Sequence, residues 1–364
     1  MNWIPRDYFD SRERFRKLAS AAGGHVVTYP VTSNSSAKDS LSVDSVFLGK
    51  EDASNIVVVV CGVHGIEAYA GSACIQYFLQ HYQSSYRNDE MSYLIIHALN
   101  PWGFANDSRV TEENVDLNRN FTDFSKPRPS GAEYSRFHSI LCEDYHPGAA
   151  GLVNELRFFS GILNPGKRCN FQQAVTGGQY QYSNGLFYGG NQETQNRKIW
   201  ERIMRAYLKP EQHIRFLDIH TGLGKKGYGA LLTHEPVASS KFKSLNGWLD
   251  QQLTSTTQDS SVSAFISGPL PSYVEDSLGN NCHTVTLEFG VSSPLYTLNA
   301  LRADNWLRTT QDKKAAVLQK VAIKKKVRNA FVKFDPVWER KILDRFAWTI
   351  NCLRRSFPGN RYQP

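Results

Sequence analysis

Apolar positions in the first hundred residues fall into short blocks separated by polar or glycine-containing turns. HVVTYPV (25–31), LSVDSVFLG (41–49), NIVVVVCGV (55–63) and YLIIHALN (93–100) are rich in β-branched residues, which predicts strands. The last two are apolar almost without a break, as strands covered on both faces are. Between them SACIQYFLQHYQSSY (72–86) has helical spacing, and residues 8–22 read as an amphipathic helix closed by Gly23-Gly24. Strand, helix, strand in that order predicts a parallel crossover and an α/β fold.

The pattern continues downstream with a helix over 193–208 and strands over HIRFLDIH (213–220), GALLTHEPV (229–237) and NCHTVTLEFGV (281–291). Residues 301–364 read as mostly helical. The segment 164–192, rich in Gly, Asn, Gln and Tyr, is expected to be a long functional loop rather than a linker. TSTTQDSSVS (254–263) reads as an ordinary surface loop, and no internal repeat is visible.

Two polar positions interrupt this apolar pattern where strands end. VVVVCGVHGIEAYAGSACIQ (57–76) places His64 and Glu67 three residues apart just beyond a buried strand, where one metal ion can meet both side chains. A hydrolytic zinc site takes three protein ligands and leaves one position open. His220 supplies the third, at the C-terminal end of HIRFLDIH and before a glycine-containing turn, where open α/β sheets place their ligands. Asp218, two residues earlier on the same strand face, is placed to orient an imidazole, although a carboxylate there is equally a capping group.

Residues 97–124 contain Arg109, Asn118 and Arg119 among turns set by Asn100-Pro101 and Gly103. Arginine suits capture of a carboxylate or stabilisation of an oxyanion, and taken singly each is also an ordinary salt-bridge partner. Glu288 interrupts the apolar strand NCHTVTLEFGV, where an ionised carboxylate is costly unless it is paired or faces a cavity. A glutamate so placed suits a general base.

The order His64-x-x-Glu67, Arg109, Val115-Asp116-Leu117-Asn118-Arg119-Asn120-Phe121, Asp218-Ile219-His220 and Glu288 resembles the zinc carboxypeptidase superfamily. The phrasing GVHGIEAYAGSA, HALNPWGFANDSRVTEENVDLNRNF, LFYGG, DIHTGLG and LEFG is similar to its bacterial branch known as domain of unknown function 2817. The resemblance runs from the first helix to about Phe357 and implies a three-layer α/β/α fold around a mixed, mostly parallel sheet. It also implies one zinc held by His64, Glu67 and His220, with Glu288 as the base that activates water. Arg109 is then the residue that stabilises the oxyanion, and Asn118 and Arg119 the pair that binds a substrate carboxylate.

The resemblance has departures. His220 is followed by Thr221-Gly222-Leu223-Gly224 where digestive-type carboxypeptidases have Ser-Tyr, and Tyr273 stands closer to Glu288 than the substrate-contacting tyrosine of such enzymes. The expected activity is hydrolysis of an amide bond beside a free carboxylate, on a peptide or on an N-acyl amino acid. The second of these belongs to the related aspartoacylase and succinylglutamate desuccinylase branch. That branch adds a C-terminal β domain, whereas residues 301–364 here read as basic helices, which favours a single domain over 1–364 with that segment packed on it.

Composition narrows the surroundings of this activity. The 364 residues are 41% hydrophobic and 12% aromatic, as in a globular protein with a sizeable core. The start MNWIPRDYFDSRERFRKL is too charged for a secretory signal and no long apolar run follows, so a cytoplasmic protein without a transmembrane segment is expected. Six scattered cysteines without a CxxC pair suggest buried thiols rather than a thiolate metal site. Residues 301–364 hold sixteen Lys or Arg against five Asp or Glu, while the net charge of the whole chain is only +8. Such a stripe could dock on nucleic acid, an anionic membrane face or an acidic partner, or be an ordinary solvated helix face, which the lack of a nucleic-acid motif favours; a binding protein built on it is the competing class. The composition leaves the oligomeric state open.

Overall fold

A computed structural model describes residues 2–33, 41–129, 131–162, 171, 173–257 and 266–358. Eight strands form one sheet: β1 (His25–Val31), β2 (Leu41–Leu48), β3 (Asn55–Cys61), β4 (Ser92–His97), β5 (His213–Lys226), β6 (Gly229–Thr233), β7 (Leu253–Ser255) and β8 (Cys282–Gly290). They lie in the order β1-β2-β4-β3-β5-β8-β6-β7. The central run β4-β3-β5-β8 is parallel, β1 and β2 add an antiparallel edge, and β6 is antiparallel to β8. The expected crossover is present, with helix Ala68–Gln80 joining β3 to the adjacent parallel β4.

Period-two alternation along β3 explains the three layers. Val57, Val59 and Cys61 face one hydrophobic cluster, which they share with helices Tyr8–Ala21, Ala68–Gln80, Lys313–Phe331 and Pro336–Arg355. Ile56, Val58 and Val60 face the other, beneath Trp200 and Ile203 of helix Gln195–Tyr207 and Val274 of helix Leu270–Leu278. A strand buried on both faces has no polar position to spare, hence the unbroken apolar run in its sequence.

The basic stretch that begins at residue 301 starts inside a helix, Pro294–Thr309, and continues through Lys313–Phe331 and Pro336–Arg355. Part of its charge points inward. Lys324 and Arg308 both reach the buried Asp304, and Arg328 Nε donates to Asp107 Oδ2 at 2.8 Å. Lys313, Lys314, Lys320 and Lys325 remain exposed. Cys61, Cys74, Cys142, Cys282 and Cys352 are buried free thiols, as expected, and Cys169 lies outside the described residues, as does residues 258–263 of the expected surface loop. Among the described residues no helix is long and apolar enough to cross a membrane.

One glycine fixes the geometry needed below. Gly65 N donates to Arg109 O at 3.1 Å and Ile66 N to Ser108 O at 2.9 Å, tying the turn after β3 to the Arg109 loop. A Cβ at Gly65 would collide with the Gly103–Phe104 backbone, which has no flexible end to move aside. Gly65→Ala is therefore expected to cost about 1–3 kcal/mol and to weaken metal binding, both read from thermal unfolding with and without added zinc.

Candidate metal and catalytic site

Three parallel strands carry the site where their mutual pairing ends; β5 itself runs on to Lys226, past the end expected at His220, with its pairing to β8 shifting register after Thr221. β3 leads into His64 and a short 3-10 turn, Gly65–Glu67; β5 carries Asp218 and His220; β8 carries Glu288. His220 and Glu288 are register partners across β5 and β8, so the last candidate ligand and the candidate base are neighbours by strand pairing.

His64 Nδ1 lies 2.9 Å from Glu67 Oε1, His220 Nδ1 lies 2.9 Å from Glu67 Oε2, and the two Nδ1 atoms are 3.1 Å apart. All three residues are buried, and among the described residues they form the group able to hold a metal ion. The ligands of a tetrahedral zinc site, bonded at roughly 2.0–2.1 Å, stand about 3.3 Å from one another. The spacings here are somewhat shorter, and the atoms converge so that one ion could lie among them.

The outer nitrogens are occupied in the way a metal site needs. His220 Nε2 is 2.7 Å from Asp218 Oδ2 and His64 Nε2 is 3.0 Å from Asp116 Oδ1. When His220 Nε2–H donates to Asp218 its Nδ1 lone pair is left facing the other two ligands; His64 Nε2 lies between Asp116 and a terminal nitrogen of Arg109 at 2.8 Å, and its Nδ1 lone pair is free when Nε2–H donates to Asp116 rather than accepting from Arg109. Three electron-pair donors this close repel one another unless a cation lies between them. Without a metal a proton can fill that role: burial works against charge on His220, but Asp218 and Glu67 outweigh it and raise its pKa well above the usual value. Glu67 is likewise held ionised, burial being outweighed by the charges of His64 and His220.

The two arginines differ. Arg109 is committed to this cluster, with Nε 3.1 Å from Asp116 Oδ2 and its terminal nitrogens 2.8 Å from Glu67 Oε1 and 2.8 Å from His64 Nε2. Each terminal nitrogen still has a second N–H. Arg119 is 4% exposed and has no carboxylate partner among the described residues. Its terminal nitrogens donate to Asn118 O and Thr176 O, and its Nε is buried without a hydrogen bond. Burial without a counterion pushes its pKa down to about 10, with Asp116 only partly opposing that. Phe187, held at φ 53° by the loop after Gly177, lies under both guanidinium groups at 5.6 and 5.8 Å. Part of the expected functional loop thus does reach the site, while residues 164–170 and 172 lie outside the described residues.

Glu288 is 8% exposed and accepts from Leu223 N–H at 3.0 Å. Burial and the nearby charge of Glu67 push its pKa up to about 8, so it can hold a proton near neutrality. His64, Glu67, His220, Glu288, Arg109, Asn118 and Arg119 all line one cavity of about 390 Å³. The structure thus brings together every residue singled out in the sequence as ligand, base or substrate contact. It does not include Tyr273, whose hydroxyl donates to Glu201 at 3.0 Å and whose ring packs on Phe121.

Sequence reasoning assigned no role to Asp116, Thr221, Phe187 or His234, which hold, line or extend the site. Asp116 had a signal in the block it shares with Asn118 and Arg119. Phe187 and His234 had none, because their approach depends on how separate loops fold back.

An α/β/α sandwich with a buried His-Glu-His cluster at the carboxyl ends of parallel strands is a carboxypeptidase-like fold. Solved structures agree. Carboxypeptidase A from Helicoverpa armigera superposes with a TM-score of 0.51 at 13% identity, covering 91% of this chain and 75% of that one. Bovine thrombin-activatable fibrinolysis inhibitor, in complex with tick carboxypeptidase inhibitor, superposes with a TM-score of 0.50 at 15% identity over 90% of this chain and 98% of that one. By sequence the chain belongs to the family described as protein of unknown function (DUF2817), whose profile matches residues 5–345. No curated protein matches it.

Proposed function

We propose that this protein is a zinc-dependent hydrolase that cleaves an amide bond beside a free carboxylate, in the manner of a carboxypeptidase. The observation that carries the reading is the pairing, in one cavity, of three converging ligand atoms with a buried arginine that lacks a carboxylate. Zinc would be held by Nδ1 of His64, Nδ1 of His220 and the Glu67 carboxylate. When bound, it supplies a Lewis acid that polarises the carbonyl and makes water more acidic.

The remaining work falls to this chain's own side chains. Arg119 offers the second N–H groups of its terminal nitrogens, beyond those given to Asn118 O and Thr176 O, to the substrate carboxylate, supplying the counterion that its burial lacks. Asn118 lends its amide nitrogen, because its Oδ1 already accepts from Leu270 N–H. Glu288 takes a proton from water as the water oxygen bonds to the carbonyl carbon. It returns that proton to the nitrogen as the C–N bond breaks. The second N–H groups of Arg109 face the charge that builds on the carbonyl oxygen.

The test compares blocked dipeptides bearing a free C-terminal carboxylate with the same dipeptides amidated, on zinc-loaded protein. The free acids are expected to be cleaved, with kcat/KM lower by about 10–100-fold for the amides, the worth of one charge-assisted hydrogen bond. N-acyl amino acids carry the same carboxylate and belong in the same panel; faster cleavage of these than of dipeptides would identify a deacylase. Release of amino acid from neither class would overturn the reading.

A further inference from the structure

The cavity continues past Glu288 into a region with a different character. β6 runs antiparallel to β8 with Ala230 opposite Glu288 and Leu232 opposite Thr286. Side chains two residues apart share a face, so Glu288 and Thr286 of β8 and Leu232 of β6 form a continuous floor, and His234 follows just beyond β6 in the same alternation. Thr233 pairs with Ser255 of β7, which brings Thr256 beside His234. His234 Nδ1 is 2.9 Å from Thr256 Oγ1. Its other ring nitrogen, Nε2, has no protein partner among the described residues.

Among the described residues charge is confined to the metal end of the cavity. The described charged residues lining the cavity are Glu67, Arg109, Arg119 and Glu288, whereas the far part is lined by Leu232, Thr233, His234, Thr256, Ile266 and Thr286. Leu295, Leu298 and Phe331 line the same cavity, Phe331 beside Gly222 just past His220, so the apolar surface of the far part is that of Leu232 and Ile266. Burial, reinforced by the charge of Arg119, lowers the pKa of His234 to about 4, so the imidazole is neutral at physiological pH. Arg119 and His234 line the same cavity, the one at its metal end and the other at its far part.

We infer that this far region selects a substrate residue whose side chain is uncharged, with an apolar body and a hydrogen-bonding tip, of the phenol or carboxamide type. The inference rests on the hydrolase reading above and names its substrate. A lysine- or glutamate-type side chain would be buried there with no counterion among the described residues. A purely aliphatic or phenyl side chain would pack on Leu232 and Ile266 but leave His234 Nε2 without a partner once water is displaced. Tyrosine- and glutamine-type side chains satisfy both requirements.

The experiment uses zinc-loaded full-length protein and a matched series of blocked dipeptides and N-acyl amino acids whose carboxylate-bearing residue is Tyr, Gln, Phe, Leu, Lys or Glu. The expected order places Tyr or Gln above Phe and Leu by about tenfold in kcat/KM, the net worth of one hydrogen bond, with Lys and Glu lowest. In His234→Leu the ratio of Tyr to Phe should fall to near one. Calorimetry of the free amino acids Tyr and Phe gives the same comparison without turnover, and a conserved Tyr preference there supports the inference. Turnover that favours Phe, Leu or a charged residue, or a Tyr-to-Phe ratio untouched by His234→Leu, overturns it while leaving the hydrolase reading intact. Absence of turnover on the whole series removes the hydrolase reading, and equal binding of free Tyr and Phe then removes this one too.

Discussion

The His64→Ala protein is expected to retain almost no zinc. His64 and His220 present their Nδ1 atoms 3.1 Å apart, with the Glu67 carboxylate spanning both, so removing one imidazole leaves two ligands on one side of the ion. Losing a residue that merely orients a ligand costs about 10–100-fold in metal affinity, and losing a ligand costs more. Elemental analysis should therefore fall from about one zinc per chain to below about a tenth of that. The fold should survive, because Asp116 keeps its bond from Arg109 Nε and its bond from Asn118 N–H at 3.0 Å. Zinc content equal to that of the unaltered protein would sink the ligand assignment.

Glu288→Gln is expected to do the opposite, keeping the metal and losing the chemistry. The amide has the shape of the carboxylate and can still accept from Leu223 N–H, but it cannot take a proton from water. A positioned general base contributes roughly 10²–10⁴-fold, so kcat should fall by about that factor with zinc content unchanged. Near-normal kcat would remove Glu288 from the mechanism. Stability gives a second readout in metal-free protein. Burial and Glu67 raise the Glu288 pKa from 4.5 to about 8, so the folded protein resists an ionisation that the unfolded chain allows. Stability is therefore lost as pH rises through that window, and Glu288→Gln should gain in melting temperature relative to the unaltered protein between those limits.

Much of this site was legible in the sequence because its parts lie where strand periodicity breaks. His64 follows an apolar strand, His220 ends another and Glu288 interrupts a third, and a polar side chain at a buried strand end has a cost that calls for a reason. The crossover from β3 to β4 was legible for the same kind of reason, since a doubly buried strand followed by an amphipathic helix has few other ways to fold. The distinction between Arg109 and Arg119 was not legible. Both are arginines in one loop, and only the fold shows that Arg109 bonds two carboxylates while Arg119 bonds backbone carbonyls alone. The basic C-terminal stretch misled in part, because its charge count does not record that Lys324, Arg308 and Arg328 turn inward to Asp304 and Asp107.

The sequence by itself determined which residue types stand at the strand ends, and hence the layered α/β fold and the identity of the candidate ligands and base. Those features depend on short-range periodicity, which local sequence carries. Tertiary structure alone turned both Nδ1 atoms toward Glu67 and both Nε2 atoms toward Asp218 and Asp116, and left one arginine without a carboxylate partner among the described residues. It alone brought His234 and Thr256 to the far end of the cavity, because strand order places β6 and β7 beyond β8 although they precede it in the chain. Side-chain direction and electrostatic partnership are set by contacts between segments far apart in sequence, and no local pattern encodes them.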